Sequence, residues 1–470
     1  MSESTMTIDG KAISANETFG VVNPATGQIF AQAPECSRAQ LGEAMESSAQ
    51  AFAPWRADEA RRREALSACA EVLKQRAGEL APILTREQGK PLARATEEVI
   101  GASVWFSYTA SLEIPVEVLQ DTSESRIEVR RRPLGVVAAI TPWNYPLLLA
   151  IWKIAPALLA GNTVVVKPSP FTPLTTLKLG ELLRDVLPPG VVNVVSGGDE
   201  LGAWMTAHPV PRKISFTGSV ETGKKVAASA APDLKRVTLE LGGNDPAIVL
   251  PDADPAAVAK DLFWGAFTNS GQVCSAIKRL YVPEDRYEDV VDALAELARS
   301  TKMGEGNEPG VELGPLNNQP QLERVMELVE EARKGGARIV AGGQRREGAG
   351  FFYEPTIVAG VSEGVRLVDE EQFGPALPVL PYRDVEEVLE RANATHFGLS
   401  GSVWSGDPER AAEVASRLEC GTAWVNQHLA LLPFTPFGGA KWSGIGVENG
   451  PWGLLGFTEL QTLNVKKQTS

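Results

Sequence analysis

Residues 135–167 read GVVAAITPWNYPLLLAIWKIAPALLAGNTVVVK, and their pattern decides the fold. Residues 136–140 are a short apolar run of strand type. Residues 147–159 have the length and composition of a helix, Gly161-Asn162 stops it, and 163–166 form a second, β-branched run. The alternation continues with a helix over 175–187, a strand over 191–195, a fourth strand at 214–216, then a glycine turn and a helix over 223–231. Strands alternating with helices across short connections predict a parallel α/β sheet.

A second α/β series follows. Strands are expected over 237–241, 247–249 and 279–282, near Ile339, and over 377–380 and 401–404; helices are expected over 256–267, 286–298 and 321–335. Upstream, residues 39–119 read as helical, with Leu66, Val72, Leu73 and Leu80 at three- and four-residue spacing among many Ala, Glu and Arg. Ile127-Glu-Val129 alternates as a short exposed strand. A chain of 470 residues is expected to hold two or more packed units.

Composition narrows the function classes. Forty-five basic against fifty-nine acidic residues give a net charge of −14, which disfavours nucleic acid and anionic membranes. The cluster Arg130-Arg131-Arg132 is too short to reverse that. Cys36, Cys69, Cys274 and Cys420 form no CxxC pair, so neither a disulfide framework nor a zinc site is expected, and a reducing compartment suits them. His208, His396 and His428 lack metal-ligand spacing, and no metal is expected. The first twenty residues lack the apolar core of a signal peptide. The most apolar stretch, 136–160, contains Pro142, Asn144, Pro146, Lys153 and Pro156, which break a membrane span. A cytoplasmic location is the expectation.

Four segments can carry chemistry. The turn Phe216-Thr-Gly-Ser-Val-Glu-Thr-Gly223 follows a strand and opens a helix, where backbone N–H groups can hold a phosphate. It matches neither a P-loop, since Lys225 stands where Ser or Thr is needed, nor the GxGxxG fingerprint, so an ordinary strand-to-helix turn is the competing reading. Cys274 follows the polar, glycine-containing run 269–272, which reads as a tight loop opening a helix at the thiol; a buried structural cysteine is the alternative. Glu240 stands between two leucines and before two glycines, where apolar surroundings raise its pKa toward that of a general base; an exposed strand face competes. In Thr141-Pro-Trp-Asn-Tyr-Pro146 two prolines stiffen a loop whose Asn144 amide can donate to an oxyanion; a surface turn is the alternative.

In this order and spacing the four segments resemble the aldehyde dehydrogenase superfamily. The likeness runs from Asn23-Pro-Ala-Thr-Gly27 to Phe457-Thr-Glu-Leu460 and includes Lys167-Pro-Ser-Pro170, Glu371-Gln-Phe-Gly-Pro375 and Pro436-Phe-Gly-Gly439. It implies two Rossmann-like parallel α/β domains plus a small β oligomerisation element. The cofactor domain would take 1–120 and 134–241, the catalytic domain 242–436, the oligomerisation hairpin and tail 121–133 and 455–470, and 437–454 would return to the cofactor domain. A homodimer or homotetramer is implied.

The resemblance also implies roles. Cys274 would attack the aldehyde, Asn144 and the Cys274 N–H would hold the oxyanion, and Glu240 would activate water against the thioester. Lys153 and Glu448 match positions that relay the proton outward. NAD or NADP would lie along Thr141, Pro142, Trp143, Lys167, Ser169, Pro170, Gly218, Ser219, Gly223, Leu241, Glu371 and Phe373. NAD-preferring members often carry Glu where Pro170 stands, which leaves the choice open; NAD is the expectation. Tyr145, Leu148, Trp152, Ser275, His428 and Phe437 would line a largely apolar tunnel for a hydrophobic or aromatic aldehyde. A coenzyme A-acylating relative without the glutamate base, a non-catalytic structural relative and a cysteine hydrolase are the competing classes.

Overall fold

A computed structural model describes residues 4–467, so the last three residues of the expected tail lie outside the described residues. The strands Val136–Ile140 and Thr163–Lys167 are buried along their whole length, as interior strands of a parallel sheet are. They lie side by side and parallel at the centre of an eight-stranded sheet. On one side follow Val192–Val194 and then the antiparallel pair Met6–Ile8 and Lys11–Ile13. On the other side follow Pro211–Thr217, Arg236–Glu240 and the short antiparallel edge Gly444–Ile445. The chain thus moves outward from Val136–Ile140 in one direction and then crosses back to Pro211–Thr217. The carboxyl ends of those two strands flank the reversal, where open α/β sheets form their ligand crevice.

The second sheet has seven strands in the order Arg338–Ala341, Thr356–Ala359, Ala376–Tyr382, Ile277–Pro283, Asp245–Val249, Ser400–Trp404 and Thr422–Val425. All its pairings are parallel except that between the first two. A separate three-stranded antiparallel sheet joins Glu117–Asp121, Ser125–Pro133 and the tail strand Thr458–Lys466, with Val118, Leu119 and Leu460 exposed on it. No helix among the described residues is long and apolar enough to cross a membrane.

Helix Pro146–Leu159 buries every residue but Leu148 and packs against helix Leu92–Ser111. Pro146 opens it, where the missing N–H costs nothing. Three local expectations are corrected here, and one element was not foreseen. The helix expected to reach 187 is Leu174–Leu183, after which turns carry the chain on, with Val186 and Leu187 N–H both donating to the Leu183 carbonyl ahead of Pro188. The helix expected from Gly223 starts at Val220, since Ser219 caps it by accepting from Thr222 N–H at 3.2 Å. The strand expected at 127–129 is the longer Ser125–Pro133. An N-terminal ribbon, Thr18–Asn23 against Gln28–Pro34, was not anticipated; the Asn23 side chain shapes its turn by accepting from Ala25 N–H at 2.9 Å.

Candidate active site

The loop leaving Val136–Ile140 is fixed from below by a buried ion pair. Lys90 Nζ lies 2.5 Å from Glu98 Oε2, donates to the Asn144 carbonyl at 2.9 Å and sits 3.7 Å from the centre of the Tyr145 ring. Glu98 Oε1 in turn accepts from Leu147 and Leu148 N–H at 3.1 and 3.2 Å, a carboxylate at a helix N-terminus. With its peptide held, the Asn144 side-chain amide donates to the Gln272 carbonyl at 2.9 Å. An amide nitrogen carries two protons, so one N–H is left for a further acceptor.

Cys274 does not begin a helix, contrary to the sequence reading. Thr268–Gly271 forms a tight left-handed turn in which Asn269, Ser270 and Gly271 all have positive φ, and the chain then passes through Cys274 into strand Ile277–Pro283. The Gly271 backbone touches the Gly374 carbonyl so closely that a Cβ would overlap it, which forces glycine there. Ser270 Oγ donates to the Gly314 carbonyl at 2.7 Å, and Gln272 Oε1 accepts from Asn317 N–H at 2.8 Å, which anchors the turn. The thiol is half-buried. Burial pushes it up to about 12; Lys278 opposes this, while Glu240, Glu371 and Asp245 add to it.

Lys278 was missed by the sequence reading. Its ammonium donates to the Cys274 carbonyl at 2.5 Å and the Val273 carbonyl at 2.9 Å, and lies 3.4 Å from Glu371 Oε1. The available signal was two consecutive cations, Lys278-Arg279, inside a strand that is otherwise uniformly apolar.

Glu240 ends strand Arg236–Glu240 and is 3% exposed, so it does not sit on an exposed strand face. Neither of its carboxylate oxygens has a protein partner. Burial first, and then the charge of Glu448, hold its carboxyl well above the usual range, with Lys153 opposing. Lys153 Nζ lies 2.5 Å from Glu448 Oε1 and donates to Thr217 Oγ1 at 2.7 Å; Ser215 Oγ donates to the same Glu448 oxygen at 3.2 Å. Lys153 and Glu448 are both fully buried.

A cavity of about 270 Å³ opens at the sheet's reversal point. Pro142, Trp143, Asn144, Gly218, Ser219, Leu241, Cys274, Glu371 and Phe373 line it as the sequence suggested, and Thr217, Gly242, Gln321 and Arg324 join them. A Cβ on Gly242 would overlap the Glu371 carboxylate, so this wall also needs glycine. Trp143 meets Phe373 edge to face at 5.1 Å. Thr141, Lys167, Ser169, Pro170 and Gly223 do not line this cavity. Lys167 is buried, with its ammonium lowered to about 8 by burial. Ser169 Oγ accepts from Phe171 N–H at 3.3 Å, and Gly223 packs against Leu241. The Thr141 hydroxyl is buried without a partner.

On the other side of Cys274 lies an apolar cluster of Leu149, Trp152, Leu399 and Phe437, against which Trp105, Tyr145, Leu148, Leu431 and Cys274 itself pack. Trp152 stacks on Trp105 at 5.7 Å and meets Phe437 edge-on at 5.7 Å. Trp105 and Leu399 were missed, since a Trp at helical spacing reads as core. The buried Ser275 hydroxyl has no partner. His428 Nε2 lies 2.7 Å from the Ser275 carbonyl and its Nδ1 2.9 Å from Ser402 Oγ. Burial lowers its pKa to about 3, so the neutral ring donates from Nε2 and accepts at Nδ1. Both nitrogens are therefore held by the protein, and neither is left to bond a substrate. No cluster of potential metal ligands is found among the described residues.

The profile of the aldehyde dehydrogenase family matches residues 12–463. Phenylacetaldehyde dehydrogenase of Pseudomonas fluorescens is 40% identical over 97% of this chain and 95% of its own. The structure of an aldehyde dehydrogenase from Bacillus cereus in complex with NAD+ superposes with a TM-score of 0.97 at 37% identity, covering 99% of this chain and 97% of that one. Betaine aldehyde dehydrogenase of Staphylococcus aureus, in complex with NAD+, gives 0.96 at 32% identity, covering 100% of this chain and 95% of that one.

Proposed function

The chain belongs to the aldehyde dehydrogenase family, whose chemistry is the NAD(P)-dependent oxidation of an aldehyde to its acid, and on that premise we propose that it oxidises a hydrophobic, preferably aromatic, aldehyde through a thioester on Cys274. The observation that carries this reading is the position of Cys274, which packs against an apolar aromatic cluster and also lines the cleft at the sheet's reversal point. Relatives named for phenylacetaldehyde and betaine aldehyde both match, so membership leaves the substrate open. The lining of Trp105, Trp152, Phe437 and four leucines suits the apolar one, whose ring and methylene surface gains from leaving water there.

In this reading the Cys274 thiol gives up its proton to water, and its sulfur forms a bond to the carbonyl carbon as the C=O π pair moves onto oxygen. The free Asn144 N–H and the Cys274 backbone N–H hold the oxygen as it gains charge. A bound nicotinamide cofactor supplies the acceptor for the aldehyde hydrogen. Glu240 then takes a proton from water as the water oxygen adds to the thioester, and the acid leaves as the C–S bond breaks. The proton moves on toward the Lys153–Glu448 pair. The unpartnered, buried Glu240 carboxylate supports hydrolysis over acyl transfer to coenzyme A.

The fit of a dinucleotide rests on the cleft at the reversal point, the helix N-terminus after Ser219 and the close approach of Gly242 to Glu371. Pro142, Trp143, Gly218, Ser219, Leu241, Glu371 and Phe373 would hold it, with Lys167 beyond the cavity. NAD is proposed over NADP on the strength of the two NAD+-bound relatives. A dimer or tetramer is proposed through the hairpin and tail strands, whose sheet edges and exposed leucines remain open in the single chain. The test is a panel of benzaldehyde, phenylacetaldehyde, hexanal and betaine aldehyde with both cofactors, alongside Cys274→Ala. The aromatic aldehydes with NAD should give the highest kcat/KM, and Cys274→Ala should abolish turnover. A faster cationic substrate overturns the specificity, and an active Cys274→Ala variant overturns the mechanism.

A further inference from the structure

A cysteine nucleophile needs positive potential near its sulfur, and the loop geometry removes the usual source. Cys274 is not at a helix N-terminus, and no histidine is available, since His428 is neutral and bonded on both sides. The charged groups bearing on the thiol come from four segments: Lys278 on strand Ile277–Pro283, Glu240 at the end of Arg236–Glu240, Asp245 at the start of Asp245–Val249, and Glu371 in the loop before Ala376–Tyr382. Tyr145, at the start of the helix that carries Trp152, also faces it. Three of these groups are carboxylic acids, one is a phenol, and one is a cation.

We propose that Lys278 is the positioning residue of the nucleophile: its ammonium pins the Cys274 and Val273 carbonyls and supplies the positive charge that favours the thiolate. The geometry argues for a task beyond tying a loop to a strand. Burying an ammonium costs several kcal/mol, and a neutral donor such as an amide could satisfy a carbonyl without that cost. The ammonium nonetheless lies 2% exposed, 2.5 Å from the nucleophile's own carbonyl, with Glu371 at 3.4 Å as its ion-pair partner. Glu371 is further oriented by Gly243 N–H at 3.2 Å, and Asp245 is engaged by the Ser400 hydroxyl, so both acids sit at fixed places around the cation. Glu371 also lines the cofactor cleft, so one cation joins the nucleophile's peptide to the cleft wall.

The inference rests on the reading of Cys274 as the nucleophile, and its test separates the two. The rate of Cys274 alkylation by iodoacetamide is followed against pH in the cofactor-free protein, with peptide mass spectrometry to identify the modified thiol. Lys278→Gln keeps a donor for the carbonyls but loses the charge, and Lys278→Arg keeps the charge. Over the accessible pH range, which lies below the thiol's midpoint, the alkylation rate should fall by roughly tenfold or more in Lys278→Gln and stay near wild type in Lys278→Arg. An unchanged profile in a folded Lys278→Gln protein overturns the proposal. If Lys278→Gln does not fold, Glu371→Gln is compared with the double variant Lys278→Gln/Glu371→Gln, which buries no lone charge: the double variant should be alkylated roughly tenfold or more slowly than Glu371→Gln, and equal rates overturn the proposal. Full turnover by Cys274→Ala would instead sink the reading beneath it.

Discussion

Trp152 and Lys153 are neighbours on one helix, yet their side chains build two regions with little chemistry in common. Trp152 enters the apolar cluster with Leu149, Leu399 and Phe437, whereas Lys153 reaches Glu448 and Thr217 through short hydrogen bonds. Successive helical side chains diverge by about 100°, so one buried cylinder faces both. The apolar region is redundant, being held by many contacts each worth only about 0.1–0.2 kcal/mol. The polar region is not: Glu240 has no protein partner and Lys153 has two, and a buried group deprived of its partner bears its full desolvation cost. Damage on the polar side should therefore appear as lost rate or lost stability. Damage on the apolar side should appear as a changed choice of aldehyde.

After loss of the nucleophile itself, the largest effect is expected at Glu240. Glu240→Gln should slow steady-state turnover by roughly 10²–10⁴-fold while leaving a first-turnover burst of reduced cofactor and an acylated Cys274 visible by mass spectrometry. The wild-type pH profile follows from the same group. Burial and Glu448 raise its pKa in the folded protein, and only its ionised form accepts a proton from water. Turnover limited by deacylation should therefore climb as pH rises through that raised value, and the Gln variant should lose this limb. A Gln variant that turns over at the wild-type rate would break the division between the two regions.

How much of this was legible in the sequence follows the same division. The parallel strands Val136–Ile140 and Thr163–Lys167 announced themselves because an interior strand is apolar on both faces. The contiguous motifs around Asn144, Glu240 and Cys274 were also readable, and nine of the suggested residues line one cavity. What escaped depended on distance in the chain. Arg324 enters the cleft from helix Gln319–Lys334, and Trp105 stacks on Trp152 from a helix that otherwise reads as packing. The helix expected at Cys274 failed for a local reason: three successive residues with positive φ turn the chain into a strand instead. Lys278 escaped because a lysine in a strand reads as solvated, and only tertiary packing reveals that it is buried.

The next effect is on stability and sharpens what the polar region costs. Lys153→Met leaves Glu448 buried without its cation, which should destabilise the fold by about 3–5 kcal/mol, measured as a lower urea midpoint at neutral pH. Adding Glu448→Gln should return part of that loss, since the double variant buries no lone charge. Equal midpoints for wild type and Lys153→Met would mean that water already reaches this pair and that the region is wetter than its burial implies.

The smallest effect tests the apolar side at its edge. Trp105 is half-buried, stacks on Trp152 with ring planes 23° apart, and donates through Nε1 to Asn449 Oδ1 at 2.9 Å. Trp105→Phe keeps an aromatic face but loses that hydrogen bond, which orients the ring beside the Glu448-Asn449 segment. An aromatic pair is worth about 0.5–1.5 kcal/mol beyond its buried area, so kcat/KM for phenylacetaldehyde should fall by roughly two- to tenfold. Hexanal, which needs volume but no ring geometry, should change less than phenylacetaldehyde in the same assay. Asn449 adjoins Glu448, so the variant also asks whether the two regions communicate. If phenylacetaldehyde and hexanal fall together, and the rise with pH assigned to Glu240 shifts with them, the disturbance has passed through Asn449 into the polar side, and the helix does not insulate one region from the other.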